Sequence, residues 1–295
     1  MEERYFESKQ EERKYKTIKI VKDVILYLVL TFFALFTLIP FMWMVFSAFK
    51  STAEIQDTTV AQGLLPKEWT FNLKIFFADE KYAMIWRYMG NTLLVGSIST
   101  ILTVVITVLA AFAFARLSFK GRELIFSILL ATMMIPGEMM IITNFTTVAN
   151  FGWLDTYTAL IVPFVTSVFY TFFLRQNFKQ IPNELYYAAK VDGVTDFGYL
   201  WKVMIPIARP SIVTITILSM IGSWNAYIWP RTVTSRKEMN LVTNGIMELF
   251  RNDSGLVNTN YVMAGMLLVS LPLLIAFIVF RKYIMNGVSR SGIKG

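Results

Sequence analysis

Apolar residues dominate six separate windows of this chain, at 24–46, 91–115, 124–143, 157–174, 211–229 and 262–280. Each approaches or exceeds the roughly 20 residues that a helix needs to cross the hydrocarbon core of a bilayer. Polar and charged residues return in blocks between them. Pro40, Pro136, Pro163 and Pro272 fall inside or near the ends of the windows, where membrane helices tolerate proline better than soluble helices do. The pattern predicts an all-α polytopic membrane protein: a six-span domain over 24–280, an N-terminal segment 1–23 and a C-terminal tail 281–295.

The block between the fourth and fifth windows, 178–210, has a different rhythm. Asn183 is placed to cap a helix and Glu184 to favour its first turn. Leu185, Ala188 and Ala189 then recur at i, i+3 and i+4. Gly193 can supply the left-handed residue that stops this helix. Thr195 is placed to cap a second one, whose Phe197, Leu200, Trp201, Met204 and Ile205 form one apolar stripe before Pro206 ends it. The hairpin is too short to bury its own apolar face. That face either seats in a groove on a partner or packs on the protein's own spans or the lipid interface.

Charge fixes the expected orientation. With the N-terminus inside, segments 1–23, 116–123, 175–210 and 281–295 are cytoplasmic and hold 19 of the 28 lysines and arginines; the reverse topology would invert this bias. The net charge of +8 is thereby accounted for by the membrane, with no nucleic-acid partner needed. Lys9 to Lys16 is of mixed sign and reads as a solvated face near anionic headgroups. The first window is too long for the apolar core of a cleavable signal and reads as an uncleaved anchor. A 55% hydrophobic, 16% charged composition lies well above the apolar share of soluble domains.

The spans are poor in chemistry. Glu123 sits at a cytoplasmic end, and Glu138 lies past the Pro136-Gly137 break toward the outer end of the third span. Ion-coupled carriers keep acids, bases and histidines inside their spans; this chain has no histidine at all, and no cysteine for disulfides or thiolate metal sites. No cluster pairs a nucleophile with a base, or carboxylates with each other, so an enzyme is not indicated. No charged ring or filter sequence suggests a channel. A Gly-x-x-x-x-Gly-Lys-Ser/Thr phosphate loop is also missing. A chain that moves a solute with none of these parts draws its energy from another subunit.

The loop Tyr187-Ala188-Ala189, followed by Lys190-Val191-Asp192-Gly193 and later Ile205-Pro206, resembles the EAA loop of inner-membrane permease subunits of binding-protein-dependent ABC importers. Its surroundings agree: Leu174-Arg175-Gln176 leads into Ile181-Pro182-Asn183-Glu184-Leu185. Further motifs are similar to the carbohydrate branch, specifically the maltose-type second permease. These are Met134-Ile135-Pro136, the run from Asn150 to Thr156, Trp224-Asn225-Ala226-Tyr227-Ile228-Trp229-Pro230, and the ending Gly292-Ile293-Lys294-Gly295. Two positions depart from the family pattern. Tyr187 replaces its first acid, with Glu184 about one turn away, and Ala226 replaces the acid of the fifth-span motif.

The resemblance implies the six-helix architecture of type I ABC importer permeases, with a cytoplasmic helix-Gly-helix coupling loop. It implies a non-catalytic subunit of an ATP-driven sugar importer, oligosaccharide for preference, in a bacterial or archaeal cell membrane with both termini cytoplasmic. The alternative is the same architecture serving a non-sugar solute such as a polyamine. Implied partners are a homologous second permease forming a heterodimer, a cytoplasmic ATPase dimer that binds ATP and Mg²⁺, and an extracytoplasmic sugar-binding protein. This chain holds no cofactor or metal of its own in that scheme. Glu184, Leu185, Tyr187, Ala188, Ala189, Asp192, Gly193, Phe197, Leu200 and Pro206 would couple to the ATPase. Trp224, Asn225 and Tyr227 would serve the sugar path, as aromatic faces and a neutral amide suit. Loops 50–90 and 231–261 would receive the binding protein, and the tail 287–295 would reach toward the ATPases.

Overall fold

A computed structural model of the chain describes residues 9–56, 63–249 and 258–289, mostly helical with no strand among them. The tail motif at 292–295 and the tips of both outer loops lie outside the described residues. The helices are α1 (Lys9–Ala48), α2 (Thr52–Gln56), α3 (Ile75–Ala78), α4 (Glu80–Arg116), α5 (Arg122–Thr132) and α6 (Ile141–Asn150). They continue with α7 (Tyr157–Ile161), α8 (Val168–Lys179), α9 (Asn183–Val191), α10 (Asp196–Tyr199) and α11 (Ile205–Ile207). The last four are α12 (Arg209–Trp224), α13 (Ile228–Val233), α14 (Val242–Leu249) and α15 (Thr259–Ser289).

Three helices are long and apolar enough to cross a membrane unbroken: Arg13–Ala48, Glu80–Arg116 and Thr259–Arg281. Three further pairs of helices are long and apolar enough only when each pair is taken as one span across a bend, and here the structure corrects the expectation of continuous spans. The third is broken between α5 and α6 at 87°. Pro136 lacks an amide proton and its ring crowds the carbonyl four residues back, and α5 ends at that residue, Thr132. The fourth bends by 44° after Phe164, and Ser167 restarts it by accepting a hydrogen bond from the Tyr170 amide at 3.2 Å. The predicted fifth span 211–229 is cut at Asn225–Tyr227. There Pro230 denies the helix the Ala226 carbonyl, which accepts from the Thr243 hydroxyl instead.

Two compact units divide the chain, Met1–Leu73 with Asn258–Leu267, and Lys74–Val257 with Leu268–Gly295. In the first, the chain turns at the end of α1 around buried Lys50. Its ammonium donates to the Gly63 carbonyl and lies 5.0 Å from the Trp43 ring. The Asn72 amide donates to the carbonyls of Ala48 and Lys50 at 2.8 and 2.7 Å. Asn260, at the start of α15, donates to the Thr52 hydroxyl at 3.0 Å.

The second unit is built on α4, against which α8, α12 and α14 pack. One core gathers Val108, Ala111, Phe112 and Ala115 of α4 with Leu174, Phe178, Leu200, Met204 and Ile215. A second joins Val95 of α4 to Val148, Leu160, Trp229 and Val233. Trp229 is therefore a core residue, its indole donating to the Ala159 carbonyl at 2.9 Å and meeting the Phe164 ring edge to face.

Candidate functional site

Ile181 is buried and Pro182 precedes the first turn of α9, so the chain leaves α8 by a tight corner. Pro182, not Asn183, occupies the cap position. The Asn183 side chain is engaged elsewhere: its Oδ1 accepts from Arg116. At the far end of α9 the predicted stop is realised in full. Gly193 has φ +73°, its amide donates to Lys190 O at 3.1 Å, and the Val194 amide reaches back to Ala189 O at 2.9 Å. These two bonds form a Schellman motif. A Cβ at Gly193 would meet open space, so the requirement is on backbone conformation and not on room. Thr195 then caps α10, its hydroxyl accepting from the Gly198 amide at 3.1 Å.

The two arms of this knuckle are braced across the glycine. Tyr186 donates its phenol proton to Asp196 Oδ1 at 2.6 Å, and Lys190 Nζ lies 2.7 Å from the same oxygen. The hydrogen bond from Lys190, with that from Tyr186, holds the Asp196 carboxyl below the usual range, and the same contact raises the lysine. The Tyr186 ring meets that of buried Tyr199 edge to face, 5.1 Å between centroids. Beyond Tyr199 the helix widens into a π-helical turn, Leu200–Met204, which accommodates Pro206 without ending the helix. The turn to α12 comes at Ala208, with an 80° bend between Asp196–Ile207 and Arg209–Trp224.

The structure splits the predicted coupling set. Glu184, Leu185, Tyr187, Ala188, Asp192, Gly193, Phe197 and Pro206 are exposed. Ala189 is half-buried against the core. Leu200 is 0% exposed, so it anchors the knuckle from within instead of facing a partner; Met204 does the same. The single apolar stripe expected from sequence thus divides. Leu200 and Met204 turn inward, while Phe197 and Trp201 remain outside with their rings edge to face at 6.0 Å. Val191, 87% exposed, joins Leu185 and Ala188 on the outer crest and was missed, although it continues their spacing by three.

At the break after α12, Asn225 and Tyr227 are exposed, with no side-chain hydrogen bond from Asn225 among the described residues. Trp224 is not with them: it is 3% exposed and packs inside the chain. Glu138 is exposed in the short 3₁₀ turn that follows Pro136.

Comparison with known proteins places this geometry. AraQ of Bacillus subtilis, an arabinooligosaccharides transport system permease protein, is 29% identical over 89% of this chain and 92% of its own length. NgcG of Streptomyces coelicolor, a diacetylchitobiose uptake system permease protein, is 29% identical over 88% and 85%. A chain of a bacterial ABC transporter involved in import of the acidic polysaccharide alginate superposes with a TM-score of 0.80. It covers 95% of this chain and 99% of that one at 23% identity, a likeness of fold. Residues 103–290 match the binding-protein-dependent transport system inner membrane component family. The chain belongs to that family, as a non-catalytic membrane component of an ABC transport complex.

Proposed function

We propose that this chain is one of two permease subunits of an ATP-driven, binding-protein-dependent importer of sugars, oligosaccharides in particular. It pairs with a homologous second permease and lines the translocation path with it. A dimer of cytoplasmic ATPases holds the ATP and Mg²⁺, and an extracytoplasmic binding protein delivers the sugar. The complex sits in a bacterial or archaeal cell membrane with both termini of this chain on the cytoplasmic side.

One observation carries the reading: an internally braced knuckle whose outer crest, Leu185, Tyr187, Ala188, Val191, Phe197 and Trp201, is left uncovered by the described residues. Seating that crest in a cleft on an ATPase buries large side chains worth about 1.5–3 kcal/mol each. The brace across Gly193 makes the knuckle a lever that moves as one piece when the ATPases close. Relatives named for two different carbohydrates support sugar as the cargo. Asn225 and Tyr227 offer an amide and an aromatic face at a helix break, the kind of place where membrane carriers hold solutes. Trp224 supports that break from behind. Loops 50–90 and 231–261 form the landing surface for the binding protein.

The test uses the chain's lack of cysteine. Ala188→Cys carrying a thiol-reactive photocrosslinker, in the assembled complex, is expected to trap the ATPase subunit. Uptake of labelled oligosaccharide, not of polyamine, should require this chain and ATP. Capture of no ATPase, or uptake in ATP-depleted cells, overturns the coupling. Polyamine uptake alone would move the assignment to the non-sugar alternative.

A further inference from the structure

Arg116 is the last residue of α4, and its guanidinium reaches into the entrance of the knuckle. It donates to the Phe178 carbonyl at 2.7 Å, to the Ile181 carbonyl, and to Asn183 Oδ1 on the first residue of α9. Arg175 makes the return contact: from α8 its Nε donates to the Phe114 carbonyl at 3.0 Å, in the last turn of α4. The C-terminal carbonyls of each helix are thus served by an arginine of the other, where a helix leaves acceptors unfilled and its dipole favours a cation. No peptide connection ties α4 to the knuckle directly; this exchange does.

The opposite end of α4 is tied just as specifically. Asn91 donates from one amide nitrogen to the carbonyls of Glu238 and Asn240 at 2.8 and 3.0 Å. Arg87 Nε donates to Glu238 O at 3.2 Å, and Thr92 Oγ1 accepts from the Val242 amide at 2.8 Å. At 37 residues α4 is about 55 Å long, against a hydrocarbon core of about 30 Å, so one unbroken helix spans from the knuckle to the outer segment that leads into α14.

We propose that α4 is the strut by which docking of the binding protein outside is felt by the ATPases inside, with Arg116 as the positioning residue at its inner end and Asn91 at its outer end. The proposal rests on the coupling reading above. An arginine suits the inner joint because its planar fork meets three fixed acceptors at once, whereas a lysine ammonium on a flexible stem does not hold that geometry. The rest of α4 is suited to the task because Val95, Val108, Ala111, Phe112 and Ala115 lock it to both cores along its length.

The test uses the reconstituted full complex with its sugar-loaded binding protein. Arg116→Gln is expected to keep the ATPases bound and their basal hydrolysis intact, while stimulation by the binding protein and sugar uptake fall at least tenfold. Arg116→Lys should not restore them. Asn91→Ala, about 25 residues away on the same helix, should reproduce the defect. Should Arg116→Gln fail to assemble, Asn183→Ala, which removes one acceptor only, decides: reduced stimulation in an intact complex supports the strut, and full stimulation overturns it. Equal stimulation of wild type, Arg116→Gln and Asn91→Ala overturns the inference alone. A wild-type complex whose ATPases ignore the binding protein overturns the coupling reading beneath it.

Discussion

Arg175 Nη2 lies 2.7 Å from both carboxylate oxygens of Glu123, closing a pair across 52 residues of sequence between the start of α5 and the end of α8. The arginine is buried and stacks 3.9 Å above the Phe126 ring, while the glutamate is largely exposed. Removing the glutamate therefore leaves a buried cation short of its partner, the more costly way to break such a pair. Glu123→Gln is expected to lower stability, read as a drop in the thermal midpoint of the detergent-solubilised protein. Arg175→Lys should fall similarly, since it loses the paired geometry and the ring contact. An unchanged midpoint in both would show that this joint holds nothing.

Gly193 carries the knuckle's turn. A β-branched side chain in the left-handed region costs roughly 1–2 kcal/mol, and nothing else at this site opposes substitution. Gly193→Val should leave the complex assembled and raise the ATP hydrolysed per sugar imported several-fold. Gly193→Asn should be much milder, because asparagine accepts that conformation. Identical coupling ratios in wild type and valine variant would remove the turn from the mechanism.

Asp155 is the described non-glycine residue with positive φ, at +56°. Its Oδ1 accepts from the amides of Ser235 and Arg236 at 2.6 and 2.9 Å, pinning the loop before α7 to the one after α13. Those backbone donors, Arg236 first, hold its carboxyl below the usual range. A carboxylate depressed by folding stabilises the native state above its unfolded value, about 3.9, and the contribution disappears as pH falls through the lower folded value. Melts of wild type and Asp155→Asn should thus differ at pH 7 and converge in the acid range. A gap that stays constant down to pH 3 would rule out the carboxylate as its source.

Gly245 lets α14 lie directly on α4. A Cβ there would sit well inside contact distance of the Tyr88 ring, which is itself buried. Gly245→Ala is expected to cost about 1–3 kcal/mol by overpacking. Adding Tyr88→Leu should recover part of that loss relative to Tyr88→Leu alone, measured as a double-mutant cycle on thermal stability. Additive losses would place the strain elsewhere.

How legible all this was depended on the range of the interaction. The knuckle's turn and second cap were readable because Gly193 and Thr195 act on amides within five residues of themselves. The N-cap was misplaced by one residue because Arg116, 67 positions away, claims the Asn183 side chain. Arginines 116 and 175 read in sequence only as positive charge on the inner side. Nothing local distinguishes an arginine that joins two helix ends from one that faces water. Leu200 and Phe197 lie on the same sequence stripe, and only the packing of Tyr199 and Met204 against α4 turned one inward and left the other out.

The sequence by itself determined the membrane character, the apolar windows and the punctuation of the loop 178–210, because hydrophobic length, proline geometry and left-handed glycine are properties of short stretches of chain. The tertiary structure alone decided the bend angles, the choice of buried and exposed faces, and the strut that Arg116 and Asn91 fasten. Each of these is set by contacts between residues far apart in the chain, whose meeting depends on the whole arrangement of helices.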